Sequence, residues 1–186
     1  CSMTGAGTGR LYAVVGPSGA GKDTLIAAAA RLRPDLAVVR RVISRPTEAG
    51  GEDFEGVTAE DFAARRAAGE FALHWRAHGL DYGIPVRAFA PLAQGRDVLF
   101  NGSRKALEAA RVPFPRLQVI LVTAPDAVLA ERLAARGRET AADIAARLLR
   151  AAQPLPGGFA LHVVDNGGAL ADGVARFLSV FQPVRA

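Results

Sequence analysis

The stretch Gly16-Pro17-Ser18-Gly19-Ala20-Gly21-Lys22-Asp23-Thr24, directly after the apolar run Leu11-Tyr12-Ala13-Val14-Val15, has residue types and spacing that suit phosphate chemistry. Gly-x4-Gly-Lys between a strand and a helix is the arrangement of a nucleotide phosphate loop. Glycine accepts backbone angles that other residues avoid, so Gly16, Gly19 and Gly21 let the N–H groups of this turn, those of Ser18 and Ala20 included, converge on phosphate oxygens. The helix starting near Lys22 adds the positive end of its dipole, and Lys22 adds a point charge for the phosphate in transfer. A nucleotide with its magnesium, Mg2+, is the expected ligand of such a loop. The pattern asks for Ser or Thr immediately after the lysine, as a magnesium ligand, whereas here Asp23 stands there and Thr24 comes one place later. Thr24 then takes the hydroxyl role. Two roles are open to Asp23: orienting magnesium-bound water, or stabilising the helix N-terminus.

A phosphate loop needs a strand behind it and a helix in front. Short Val/Ile/Leu runs alternate along the chain with longer Ala/Leu/Arg stretches of helical period, which implies an α/β fold around a parallel core sheet. Strands are expected at Leu11 to Val15, Ala37 to Val42, Asp97 to Phe100, Leu117 to Val122 and Leu161 to Val164. Helices are expected at Lys22 to Leu32, Ala59 to Ala68, Pro85 to Ala93, Arg104 to Ala110, Ala127 to Arg136, Ala141 to Ala152 and Ala169 to Phe181. Thr58 with Asp61, and Thr140 with Asp143, have the spacing of helix-entry caps. Residues of about 43–94 differ in character and read as an inserted lobe of short antiparallel strands that carries the second substrate. The core is then 10–42 and 95–186. Arg136-Gly137-Arg138-Glu139-Thr140 joins two arginine-bearing helices, and 136–147 suits a lid closing over a phosphate chain.

With 186 residues, half of them hydrophobic, the chain 1–186 is long enough for one substantial core and is read as a single domain. Lys plus Arg number 23 against 18 acidic residues, a net charge of +5 that favours anionic partners. Aromatic residues are only 6%, with no basic block interleaved with rings, which argues against a nucleic-acid partner and for a phosphorylated small molecule. The single cysteine, Cys1, excludes an internal disulfide and suits a reducing cytoplasm. The opening residues lack a signal-peptide core, no run of eighteen apolar residues occurs, and Met3 is a candidate start, so neither export nor a membrane partner is expected.

Lys22-Asp23-Thr24 resembles the Gly-Lys-Gly-Thr variant of nucleoside monophosphate kinases. Further along the chain, Ser44-Arg45-Pro46, Gly51-Glu52, Gly69-Glu70-Phe71, Tyr82-Gly83, Arg132-Leu133 with Arg136, Arg147-Leu148 and Asn166 resemble the guanylate kinase family in order and spacing. The resemblance implies a P-loop kinase of core, acceptor-binding lobe and lid, moving the terminal phosphoryl group of ATP onto an acceptor phosphate. It implies that Arg45 and Tyr82 hold that phosphate, that Arg136 and Arg147 neutralise the transferring group together with Lys22, that Arg132 belongs to the nucleotide site and that Asn166 lies near the adenine.

Two departures matter. Where guanylate kinases carry a guanine-reading carboxylate after Gly-x-Phe, this chain has Leu73, and where they carry Asp-x-Asp it has Asn101-Gly102-Ser103. A purine bound without those partners leaves base N–H groups unpaired, at about 1 to 3 kcal/mol each. A sugar phosphate suits the remaining polar set better. Arg41 to Pro46, Gly50 to Asp53, the run Phe71 to Pro85 and Asn101-Gly102-Ser103-Arg104 resemble the ribose 1,5-bisphosphate phosphokinases of phosphonate degradation. That likeness implies ribose 1,5-bisphosphate as acceptor and 5-phosphoribosyl 1-diphosphate as product. Within the lobe, Glu52 and Asp53 are candidates for ribose hydroxyls, Arg41, Arg45, Arg76 and Arg104 for the two phosphates, and His78, Asn101 and Ser103 for further polar contacts. The alternatives are a nucleoside monophosphate kinase of altered base preference, and a non-catalytic guanylate kinase-like binding module.

Overall fold

The computed structural model describes residues 9–46, 52–135, 137, 140–151 and 153–181. Its core is a five-stranded, all-parallel sheet of β1 (Leu11–Val15), β2 (Ala37–Val38), β7 (Val98–Asn101), β8 (Gln118–Thr123) and β9 (Ala160–Asp165), in the order β2-β7-β1-β8-β9. β1 is central, buried along its whole length, and pairs with β7 on one side and β8 on the other. Alternate residues of these strands feed two hydrophobic layers, as a pleated sheet covered on both faces requires.

One layer packs Tyr12, Val14, Leu99, Ile120 and Val122 against α1 (Lys22–Leu32), α5 (Asp126–Ala135) and α7 (Leu170–Leu178), through Leu25, Ala29, Leu129 and Phe177. The other packs Ala13, Val15, Phe100 and Val119 against α4 (Arg104–Ala110), through Ala106, Leu107 and Ala110. Truncating a fully buried leucine of either layer, such as Leu25 or Leu107, costs about 2–5 kcal/mol.

The expected strand Ala37 to Val42 is two strands in two sheets. Ala37–Val38 stays in the core sheet beside β7, and Arg41–Ile43, β3, opens a second sheet. The second sheet contains β3, β4 (Phe54–Gly56), β5 (Phe71–Ala77) and β6 (Leu80–Pro85), in the order β4-β3-β6-β5. It is mixed, not purely antiparallel: β3 and β4 run parallel, while β3–β6 and β5–β6 are antiparallel. The expected helix Pro85 to Ala93 is also corrected. Pro85 closes β6 opposite Phe71, and the chain then makes a 3-10 turn, Val86–Phe89, and a short helix, α3 (Ala90–Ala93). Proline without an N–H is tolerated at a strand end and at the entry to a turn.

The lobe is fastened on two sides. Val42, Phe71 and Phe62 of α2 (Ala59–Ala67) form its own small core, with the rings of Phe62 and Phe71 stacked at 4.6 Å. Leu73, Trp75 and Ile84 join the α4 layer of the main core instead, and the strand register shifts between Phe71 and Leu73, where this handover occurs.

Among the described residues no helix is long and apolar enough to cross a membrane.

Candidate active site

The loop after β1 lies at the carboxyl end of the central strand, beside the point where successive connections run to opposite sides of the sheet. Such a crevice is where open parallel sheets bind ligands. Gly16 has φ 152° and closes against β8: a Cβ there would lie 2.3 Å from the Val122 carbonyl oxygen. Gly21 has φ 87°, and a Cβ there would lie 2.5 Å from Asn166 Nδ2. Gly21 is also the N-cap of α1, and no side chain caps that helix end. The first N–H groups of α1 thus lack a side-chain acceptor, the state in which a helix N-terminus receives an anion.

We expect Gly21→Ala to combine strained backbone with a direct clash and to weaken nucleotide-analogue affinity by about five- to a hundredfold, at about 1–3 kcal/mol, as read by calorimetry. Unchanged affinity would show that the loop is not the nucleotide cradle.

Lys22 Nζ donates to the carbonyls of Gly16 at 2.8 Å and Pro17 at 3.1 Å, so its charge is curled over the loop that it serves. Asp23 and Thr24 come next in the exposed first turn of α1, where carboxylate and hydroxyl oxygens can meet the water shell of magnesium carried by a triphosphate. The loop is braced from behind. Asn166, immediately after β9 and buried, donates from Nδ2 to the Ala20 carbonyl at 2.8 Å. Arg132 of α5 donates to the Gly19 carbonyl at 3.2 Å and the Asn166 carbonyl at 2.8 Å. In this arrangement both side chains hold the loop. The family resemblance puts Asn166 near the adenine, yet its amide is committed to Ala20.

Above the loop runs α6 (Ala141–Ala151). Its entry is capped reciprocally: Asp143 N–H donates to Thr140 Oγ1, while the Thr140 N–H and hydroxyl donate to the Asp143 carboxylate. Those bonds hold the Asp143 carboxyl below the ordinary carboxylate range. From α6, Arg147 donates to Ser18 Oγ at 2.8 Å and so reaches the loop. Arg136 lies outside the described residues.

The remaining candidates stand on or beside the second sheet. Trp75 and Tyr82, cross-strand neighbours on β5 and β6, stack at 5.4 Å with 5° between their planes. Arg41 lies over both rings, 5.1 Å from the Tyr82 centroid and 5.8 Å from that of Trp75. Its guanidinium grips Glu52 with two hydrogen bonds, one to each carboxylate oxygen. Arg41 is only 7% exposed, so this pair is largely desolvated and each member is the other's charge partner. Arg45 lies 4.2 Å over the ring of Phe54. Ser44 Oγ accepts the Asp81 N–H at 2.8 Å and ties the end of β3 to β6. Asn101, at the tip of β7, donates to Asp23 Oδ1 at 2.9 Å and to Glu52 Oε2 at 3.3 Å.

The fold thus brings together Lys22, Asp23, Ser18, Arg147, Asn101, Glu52, Arg41 and Tyr82. Other candidates are engaged elsewhere. Asp53 pairs at the surface with Arg40 at 2.9 Å, away from the Glu52 cluster. Ser103 is the N-cap of α4, its hydroxyl accepting the Ala106 N–H at 3.2 Å. Arg104 donates to the Gln153 carbonyl and so joins α4 to the segment after α6. His78 and Gly79 form the exposed two-residue turn of the β5–β6 hairpin, with φ of 52° and 75°, the geometry of a I′ turn. His162 is satisfied by Gln118 Oε1 at 2.9 Å. Trp75 is buried in the core and is also the floor under Tyr82 and Arg41. Alternation along Leu73-His74-Trp75 marks it as buried but cannot show which ring it meets. Leu73 itself is 3% exposed and packs in the α4 layer, which leaves no base-reading group at that position.

No protein-family model matches the chain. Among curated proteins it is 51% identical over 180 residues to the ribose 1,5-bisphosphate phosphokinase PhnN of Pseudomonas fluorescens (strain SBW25), covering 91% of this chain and 93% of that protein. It is 47% identical over 176 residues to the bifunctional ribose 1,5-bisphosphokinase-thymidine phosphorylase of Cupriavidus necator; the match covers 94% of this chain and spans only 29% of that relative. Among solved structures it superposes on a guanylate kinase from Anaplasma phagocytophilum with a TM-score of 0.67 at 17% identity, over 94% of this chain and 85% of that one, which shows the fold.

Proposed function

Because the chain belongs to the ribose 1,5-bisphosphate phosphokinase family, we propose that it is an ATP-dependent phosphotransferase that converts ribose 1,5-bisphosphate to 5-phosphoribosyl 1-diphosphate. The observation that carries the reading beyond the family name is the acceptor lobe. It keeps Arg45 over the Phe54 ring as a donor for a phosphate, while the position of a base-reading carboxylate is the buried Leu73 and Trp75 and Tyr82 stack under Arg41.

In this reading a 1-phosphate oxygen of the sugar attacks the terminal phosphorus of ATP. The new P–O bond forms as the bond to the bridging oxygen of ADP breaks. The attacking oxygen is already ionised near neutral pH, so no general base is needed. The protein supplies alignment and charge. Loop N–H groups and Lys22 hold the triphosphate, and Arg147, already within hydrogen-bond reach of Ser18, faces the phosphates from the lid. Arg136 is assigned to the same task. Magnesium brought with ATP would be held by Thr24 and Asp23 and would offset phosphate charge. Arg45 and Tyr82 receive the acceptor phosphate, and Arg132 and Asn166 keep the loop in shape. Core, acceptor lobe and a lid over 136–147 are the moving parts of this scheme, in a single domain. The acceptor is a small molecule and the setting is the cytoplasm.

The test is steady-state selection among acceptors. We expect kcat/KM with ribose 1,5-bisphosphate to exceed that with GMP by at least a hundredfold, about 3 kcal/mol, as two lost base contacts require. Equal or better use of GMP would overturn the assignment.

A further inference from the structure

Three side chains from separate parts of the chain meet beside the loop. Asn101 closes β7 in the core, Asp23 belongs to the first turn of α1, and Glu52 lies just ahead of β4 in the acceptor lobe. Asn101 is 78 positions from Asp23 and 49 from Glu52, and its single amide nitrogen donates to both carboxylates. Glu52 is otherwise gripped by Arg41, whose guanidinium is in turn seated on Tyr82 and Trp75. A continuous chain of contacts therefore runs from the rings of the lobe, through Arg41, Glu52 and Asn101, to the residue next to Lys22.

The chemistry of the middle member is constrained. Two carboxylates that approach one point repel unless a donor stands between them, and the buried cation Arg41 is committed to Glu52. An amide donates through two N–H bonds without adding charge. An aspartate at 101 would replace the donor by a third anion. A serine or alanine would leave the gap unbridged.

We propose that Asn101 is a positioning residue that couples the acceptor lobe to the phosphate loop, transmitting the placement of Glu52 to Asp23 and hence to the nucleotide side. The inference rests on the kinase reading for the identity of the acceptor, but the coupling is judged with a nucleotide analogue alone. Coupling between two sites is a free energy and is reciprocal, so a change confined to the lobe must be felt at the loop, and only while the connecting side chain is present.

The experiment is a double-mutant cycle on the full chain. The dissociation constant of a non-hydrolysable ATP analogue with magnesium is measured by calorimetry for the native protein, Glu52→Gln, Asn101→Ala and the double variant. We expect Glu52→Gln to shift analogue affinity about three- to tenfold in the native background and less than about twofold once Asn101 is alanine. The same shift in both backgrounds, or none in the native one, overturns the proposal. If Glu52→Gln fails to fold because Arg41 loses its charged partner, hydrogen exchange decides. Analogue binding should slow exchange in Arg41–Ile43 and Leu80–Pro85 of the native protein and leave those strands unchanged in Asn101→Ala. Equal protection in the two proteins, or no protection in either, is contrary. Failure to turn over ribose 1,5-bisphosphate would sink the functional assignment and leave this cycle standing; a flat cycle would do the reverse.

Discussion

Lys22→Ala is expected to lower kcat by about a hundredfold to a thousandfold, with a much smaller change in KM for the acceptor. Lys22 is held over the loop by two carbonyls, Gly16 and Pro17, neutral acceptors that a phosphate oxygen outbids through its charge. Once transferred to the phosphate, the ammonium tracks the negative charge that builds on the leaving and transferring groups, so its stabilisation is greatest in the transition state. A single such donor removed from a preorganised site costs about 3–4 kcal/mol. Loop geometry should survive, because Arg132 and Asn166 still hold the Gly19 and Ala20 carbonyls when the lysine is gone. Single-turnover kinetics, with the analogue titration as a control for binding, checks this; a kcat within tenfold of native would remove Lys22 from the chemistry. Under the binding-module alternative the same substitution would leave partner binding unchanged and have no turnover to lose.

The second large effect belongs to Arg147. Its guanidinium reaches from α6 to Ser18 Oγ at 2.8 Å, which gives that helix a direct hold on the loop. Arg147→Ala should reduce kcat by about a hundredfold. Arg147→Lys should restore little of it, because an ammonium offers a point charge where a planar fork is needed to span two oxygens. The kinetic split is informative: a loss in kcat with KM for ATP changed less than about threefold means that the arginine acts on the transferring group, whereas a rise in KM alone would make it a ground-state contact. The cap at the entry of α6 is formed by Thr140 and Asp143 with each other, so its hydrogen bonds should survive the substitution, which removes only the smaller pull of the Arg147 charge one turn along on the Asp143 carboxylate. That cap depends on an ionised carboxylate whose affinity for protons is lowered in the folded state. Its contribution is therefore present at neutral pH and fades only as the pH falls through that depressed value.

Local signals are easy to read from the sequence, and signals that depend on distant partners are not. The loop and α1 depend on neighbouring residues alone, and the structure starts α1 at Lys22 as the glycine pattern requires. The parallel core is equally legible, since central strands covered on both faces read as continuous apolar runs. The run Ala37 to Val42 misleads for a physical reason: hydrophobic periodicity reports burial, and both β2 and β3 border a core, yet nothing local marks the change of sheet at Val39-Arg40. Charged residues behave similarly. Sequence alone gives Arg41 and Glu52 each to the ligand, because pairing eleven positions apart across an unseen sheet has no sequence signature. Ser103 also carries a local signal. A serine directly before a helix is a cap in most settings, and the structure uses it so. Asn101 and Asp23 stand out as oddities of the chain, and only the fold shows that they touch.

The central claim is that this site moves a phosphoryl group onto the 1-phosphate of a pentose bisphosphate. Phosphorus NMR of the purified protein with ATP, magnesium and ribose 1,5-bisphosphate tests it most directly. The account predicts that the sugar 1-phosphate signal is replaced by the paired, mutually coupled signals of a diphosphate on carbon 1, while the 5-phosphate signal persists and ADP appears in equal amount. An unchanged sugar spectrum, in a sample that converts GMP and ATP to GDP and ADP, would contradict it.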